Sequence, residues 1–179
     1  KEDIIRAAND CKGTMADALK KRGRYETVVM GVDWGGGGSL EHSYTALAIV
    51  GLMPGTARLA CIYAERLPHN IPPPHEIRLV LNYASAFRTS YIAHDYTGAG
   101  ALREVLMEQA GISNTNLLPF TYVYSVNKEV IKYNKPGMGI RESWSIDKAR
   151  SLVIMASMLK GGKITLPDFE GSFEVTKDL

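Results

Sequence analysis

The sequence predicts an α/β protein built on one mixed sheet, with its first three strands antiparallel and helices on both faces. Three observations carry that reading. The runs 26–34 (ETVVMGVDW), 45–53 (TALAIVGLM) and 58–67 (RLACIYAERL) are rich in apolar and β-branched residues and follow one another across short links. After them the chain alternates between helical and strand patterns, which calls for helices packed on a sheet. The 179 residues suit a single domain that hides roughly 70% of its unfolded surface.

Taken in order, residues 2–22 show helical spacing of Ile4, Ile5, Ala8, Met15, Ala18 and Leu19, with Gly13 weakening the middle. Residues 1–24 are therefore expected to be a helical segment or linker remnant, and residues 25–179 the domain itself. The strand 26–34 meets Asp33 near its end, just before Trp34 and four glycines, and Pro54-Gly55-Thr56 turns the second strand into the third. Pro74 opens a helix over 75–88, with Ile77, Val80, Leu81, Ala84 and Phe87 on one face. Residues 90–95 (SYIAHD) form a fourth strand that again ends in aspartate. A helix over 98–111 is expected to turn Leu102, Val105 and Leu106 inward and to close at Gly111. Residues 117–126 read as the fifth strand, followed by a loop containing NKPGMG. Ser145 is expected to cap a helix over IDKARSLVIMASMLKGG, with Asp147 a favourable charge in its first turn, and 163–167 to form a short last strand.

Composition excludes several classes. Hydrophobic residues are 45% and charged residues 22%, close to the soluble globular average. No apolar run approaches the ~20 residues of a spanning helix, and KEDIIRAANDCKG carries charges where a signal peptide has its apolar core. A soluble, intracellular protein with no membrane partner is expected. Cys11 and Cys61 have no partnering pattern and read as reduced core thiols. The net charge is +2, so affinity for a polyanion must come from a local patch. His42, His69, His75 and His94 lack metal-ligand spacing. His94 points to the face opposite Asp95 by the strand period of two and reads as structural.

The chemistry concentrates in two aspartates. In VVMGVDWGGGGS an unpaired buried carboxylate would cost several kcal/mol, so Asp33 belongs at the strand's mouth. Asp95 ends the fourth strand in the same way, before YTGAG. If those strands are neighbours, their ends lie about 4.8 Å apart and the two carboxylates converge. Like charges so close call for a cation. Mg²⁺ is commonly held by one or two carboxylates with substrate phosphates completing its shell, and two ions about 3.5–4 Å apart suit phosphodiester cleavage. Either aspartate alone reads first as a turn or N-cap residue; the matched pair favours a site. The glycines let a bulky backbone such as a DNA strand come close, or simply form a hairpin loop. Lys128, Lys132, Lys135 and Arg141 fall in or beside the loop after the fifth strand, interleaved with Tyr124, Tyr133 and Trp144. They are expected to contact a DNA backbone without reading sequence, against the plain alternative of solvated surface cations.

GVDWGGG, YTALAIVG, HEIRLVLNYASAF, YIAHDYTGAGALREVL, VYSVNKEVIKY and SIDKARSLVIMASMLKGGKITLP, in this order from about 25 to 167, resemble the nuclease domain of tailed-bacteriophage terminase large subunits, a branch of the ribonuclease H-like fold. The resemblance implies a sheet of five or more strands and a metal-dependent endonuclease that cuts concatemeric double-stranded DNA by two-metal-ion phosphodiester hydrolysis. It makes Asp33 and Asp95 the catalytic ligands of two Mg²⁺ or Mn²⁺ ions. It also implies the terminase ATPase domain, the small terminase subunit and the portal as partners, in the host-cell cytoplasm. The family's third acidic ligand lies on a helix after the KITLP-like strand. Asp178 is the nearest late candidate here, with Asp168, Glu170 and Glu174 before it, and none stands in a motif; the chain is expected to stop short of that ligand. No G-x-x-x-x-G-K-[ST] loop of an ATPase motor occurs. Two rivals use the same residues: an actin-like or sugar-kinase-type ATP-binding domain, which needs about twice this length, and a non-catalytic DNA-binding or docking module of the same fold.

Overall fold

A computed structural model describes residues 11–12, 15–35, 44–124, 129–137 and 141–168. The chain enters through a two-residue strand β1 (Cys11–Lys12) and helix α1 (Met15–Lys21). Strand β2 (Thr27–Asp33) then buries Val28, Met30 and Val32 and leaves the alternate residues half-open, as a strand with two unlike faces must. Strands β3 (Ala46–Leu52) and β4 (Leu59–Arg66) follow as an antiparallel meander, and Gly55 supplies the left-handed turn between them at φ 65°. Helix α2 (Pro73–Phe87) starts with prolines, which its first turn tolerates because those N–H groups have no helical partner.

From there the chain alternates: β5 (Tyr91–Asp95), α3 (Ala99–Gln109), β6 (Leu117–Val123), β7 (Ile131–Asn134), β8 (Ser143–Asp147), α4 (Lys148–Lys160), β9 (Ile164–Thr165) and β10 (Pro167–Asp168). Eight strands form one sheet in the order β7-β8-β6-β5-β2-β3-β4-β9, and β1 pairs with β10 apart from it. The ladders β2/β5, β5/β6 and β6/β8 are parallel, so the carboxyl ends of four strands share one edge of the sheet. The main core lies where Val28, Met30, Val32, Leu47, Ile49 and Ile92 meet Ile77, Val80 and Phe87 of α2 and Met107 of α3. Each such fully buried aliphatic or aromatic group contributes about 1.5–3 kcal/mol relative to exposure. A separate cluster joins Leu159 and Met155 of α4 to Cys61, Ile164 and Leu166, so helices cover both faces. No helix among the described residues is long and apolar enough to cross a membrane.

Four expectations are corrected. Cys11 lies on a strand, not a helix; of the helical pattern over 2–22, the described residues form a helix at Met15–Lys21, and residues 1–10 and 13–14 fall outside the described ones. The loop expected after the fifth strand contains β7 and β8, where a four-residue and a five-residue run were too short to show a period. Ser145 therefore belongs to β8, and the α4 cap is Asp147, whose carboxylate accepts the Arg150 N–H at 3.0 Å. Helix α3 is rotated from the expectation: Leu102 and Val105 are exposed, while Arg103, Glu104 and Met107 face in. Its last helical residue is Gln109, Ala110 is the cap, and Gly111, at φ 94°, follows in the left-handed position.

Candidate active site

Parallel pairing sets the site. Val32 of β2 lies beside His94 of β5, so Asp33 and Asp95, the next residue of each strand, stand side by side in one row at the carboxyl edge. Phe120 of β6 and Trp144 of β8 continue that row. Tyr122, two residues beyond Phe120, projects from the same face as the aspartates, and β8 hands over at Asp147 to Lys148, the first residue of α4. The Lys148 ammonium sits 5.0 Å from the centre of the Tyr122 ring.

These four side chains act on one another. Burial, and then the charge of Asp95, push the Asp33 carboxyl above its ordinary 3.8, while Lys148 pulls the other way. Burial, and then the charges of Asp33 and Asp95, raise the Tyr122 phenol above its ordinary 10.0. Asp95 Oδ1 accepts two bonds at 2.8 Å, from the N–H and the hydroxyl of Thr97, which fixes the carboxylate in an Asx-type turn. Among the described residues no group of three or more histidines, cysteines or acids is placed to hold a metal; Asp33 and Asp95 are the two carboxylates that the described residues bring to this edge.

The Asp33 shift has a stability consequence. A carboxyl whose folded-state pKa is raised binds more protons in the native state than in the unfolded one between the two pKa values, so stability falls as pH rises through that window. The penalty is fully present above the raised value and absent below 3.8. Asp33→Asn is therefore expected to melt at a higher temperature than the wild type at neutral pH. The two should converge at about pH 3, and equal melting temperatures at both pH values would show that the aspartates do not strain each other.

Behind the carboxylates lies a buried polar framework that holds the turn after Asp33. The Gly35 N–H donates to the Thr45 hydroxyl at 2.8 Å, and that hydroxyl donates to Glu76. Glu76 pairs with Arg103 at 2.7 Å, and the same guanidinium reaches the Gly35 carbonyl at 3.4 Å and lies 5.5 Å from the Trp34 ring centre. On the far side of β5 from Asp95, His94 is fully buried. Its Nε2 bonds Glu104 at 2.8 Å and its Nδ1 accepts the Trp34 indole N–H at 3.3 Å. Because indole only donates, Nδ1 must be the bare nitrogen and Nε2 carries the hydrogen, which gives His94 the structural role its strand position predicts.

The basic residues scatter. Lys132 is on the edge strand β7 opposite Ser145. Lys135 follows Asn134, which pairs with Ser143 at the start of β8, so it lies toward the opposite end of the sheet from Asp147. Arg141 donates to Glu104, and to Glu108 at 2.6 Å, and is held within the protein rather than standing free for a phosphate. Lys128 and Asp178 lie outside the described residues. Sequence reasoning missed Lys148 and Tyr122. A strand at 143–147 would have been the signal for Lys148, since it brings the following residue to the carboxylate edge.

No family model matches the sequence, and no curated protein matches it. Among solved structures the chain is similar to the terminase nuclease domain of human cytomegalovirus, at 11% identity and a TM-score of 0.52, over 90% of this chain and 82% of that one. It is similar to the same viral domain soaked with Mn and bound to an inhibitor, at 13% identity and 0.48, over 85% and 71%. It is also similar to the large terminase nuclease of thermophilic phage G20c, at 15% identity and 0.47, over 80% of this chain. The chain spans 61% of that phage nuclease. The shared feature is the fold, a ribonuclease H-like mixed sheet with helices around it.

Proposed function

We propose that this chain is the nuclease domain of a viral DNA-packaging terminase, a metal-dependent endonuclease of double-stranded DNA. The observation that carries the reading is the placement of Asp33 beside Asp95 at the carboxyl edge of the sheet, with the Asp33 carboxyl raised partly by its neighbour's charge. The fold it shares with the cytomegalovirus terminase nuclease supports it.

Two adjacent carboxylates are a hard oxygen donor set and fit one or two Mg²⁺ or Mn²⁺ ions, whose remaining positions substrate phosphate and water would fill. Asp33 and Asp95 would hold them, with Asp178 the candidate for a third carboxylate. When bound, such ions supply Lewis-acid stabilisation of the phosphate charge and acidify water for attack on phosphorus. The chain's own residues supply the geometry. Thr97 orients the Asp95 carboxylate; Thr45, Glu76 and Arg103 fix the backbone that follows Asp33. Lys148, already facing the carboxylates, is placed to meet the negative charge of the DNA phosphate, and Lys132 offers a backbone contact from the edge strand. By the same reading the domain works beside a terminase ATPase domain, with the small subunit and portal, in the host-cell cytoplasm on concatemeric DNA.

The test is nicking of supercoiled plasmid in Mg²⁺ or Mn²⁺, with calorimetric Mn²⁺ binding alongside. Asp33→Ala and Asp95→Ala are expected to keep the wild-type circular dichroism and to lose Mn²⁺ binding. Their cleavage should fall by more than about 10²-fold, since even outer partners of metal ligands cost about 10–100-fold. Wild-type nicking by either variant, or nicking that survives EDTA, overturns the proposal.

A further inference from the structure

A second polar recess lies at the other end of the sheet. Strands β2, β4 and β9 run in one direction, β2 and β4 each being antiparallel to β3, and β4 parallel to β9. Their first residues therefore meet at the edge opposite Asp33. Arg24 and Tyr25 precede β2, Arg58 precedes β4 and Lys163 precedes β9, and Met53 follows β3 between them. Together these residues and Thr165 line a cavity of about 320 Å³ whose lining contains three cations and no acid. Among the described residues, the side chains of Arg24, Arg58 and Lys163 make no ion pair or hydrogen bond.

Three arginines elsewhere in the fold are committed: Arg22 to the Phe87 and Arg88 carbonyls, Arg103 to Glu76, Arg141 to Glu104 and Glu108. Three unneutralised cations around one concavity repel each other unless an anion completes the set. Guanidinium forks match phosphate oxygens, lysine adds a point charge, and a tyrosine ring offers a face to a base or sugar. The volume falls at the small end of ligand sites.

We propose that this recess is an anion site in which Arg24, Arg58 and Lys163 hold a phosphoryl group. Counted along the seven residues of β2, it lies about 20 Å from the carboxylate edge. The phosphoryl group belongs either to the backbone of a DNA duplex or to a free nucleotide. Binding there does not depend on the nuclease reading, because it is measured without metal and without cutting.

The test compares the wild type with Arg58→Glu/Lys163→Glu, both exposed side chains without partners, after melting curves show that both proteins fold. One arm titrates ATP by calorimetry. The other titrates a 30-base-pair duplex in EDTA by fluorescence anisotropy across salt concentrations, a length about five times the ~20 Å separation. A duplex source predicts at least a tenfold loss of duplex affinity and a salt slope reduced by about 2, with ATP unaffected. A nucleotide source predicts at least a tenfold loss of ATP affinity with the duplex slope unchanged. Wild-type protein that binds neither, or substitutions that move both affinities less than twofold, overturns the proposal. Asp33→Asn is expected to leave this binding intact, so its failure and that of the nuclease reading are told apart.

Discussion

Replacing Arg103 by alanine is expected to lower the unfolding free energy by about 3–5 kcal/mol, the usual cost of deleting one partner of a buried ion pair. The side chains of Arg103 and Glu76 are 8% and 6% exposed and meet at 2.7 Å. Without the guanidinium, Glu76 keeps only the Thr45 hydroxyl and the Gly35 carbonyl loses the Arg103 donor, while the Ala99 carbonyl loses a second bond and keeps its helical one. A carboxylate left that dry is costly, whereas removing both charges together is much milder. Arg103→Met with Glu76→Gln should therefore recover most of the loss in a double-mutant cycle. Urea denaturation measures it. Lys20→Ala is the control, because its partner Asp17 is an exposed neighbour at 3.4 Å, worth a few tenths of a kcal/mol. A loss from Arg103→Ala below about 1 kcal/mol would mean that water takes over the pair. Because Arg103 also braces the residue two positions after Asp33, the proposed nuclease function predicts slower plasmid nicking by the variant at temperatures where it is still folded.

Gly100→Ala is expected to be nearly as severe and to act directly on the site. A methyl group at position 100 would lie 1.9 Å from the Asp95 carbonyl oxygen, 2.9 Å from its carbon and 3.3 Å from the Trp34 ring. The obstructing atoms are backbone of the very residue that presents the second carboxylate, so no rotamer change relieves the clash. Either the first turn of α3 lifts away or the end of β5 moves. Overpacking of this kind costs about 1–3 kcal/mol, and a shift of about 1 Å in a catalytic group costs about 10²-fold in rate. Melting and plasmid nicking together decide it: wild-type values in both would mean that α3 does not approach Asp95 as closely as the structure has it.

These two residues show where the sequence stopped being legible. Periodicity found the strands that carry Asp33 and Asp95, because their faces differ sharply in polarity; that the two strands are neighbours was a condition of the reading, and the parallel β2/β5 ladder meets it. The same reasoning turned α3 the wrong way. It sent Leu102 and Val105 inward because apolar residues usually go there, yet α3 packs over strand ends where His94 and the Gly35 carbonyl need polar partners, so Arg103 and Glu104 take the inner face. The glycines of DYTGAG were visible as a turn. Gly98, at φ 53°, fits that reading, but the reason for glycine at 100 is a contact five residues back that exists only once α3 docks. Arg141 read as a contact for a DNA backbone, or else a solvated surface cation, and lies against two acids of α3, 33 and 37 residues away.

By itself the sequence determined the α/β class, the strand order through the meander and the two carboxylates at strand mouths, since alternation and turn chemistry act between near neighbours along the chain. Tertiary structure alone decided the rotation of α3, the edge strand β7 and its neighbour β8, the committed arginines and the approach of Lys148 to Asp33. Each of these depends on which polar groups are left without water when distant segments pack, and that demand is created by the fold rather than written in any one stretch of residues.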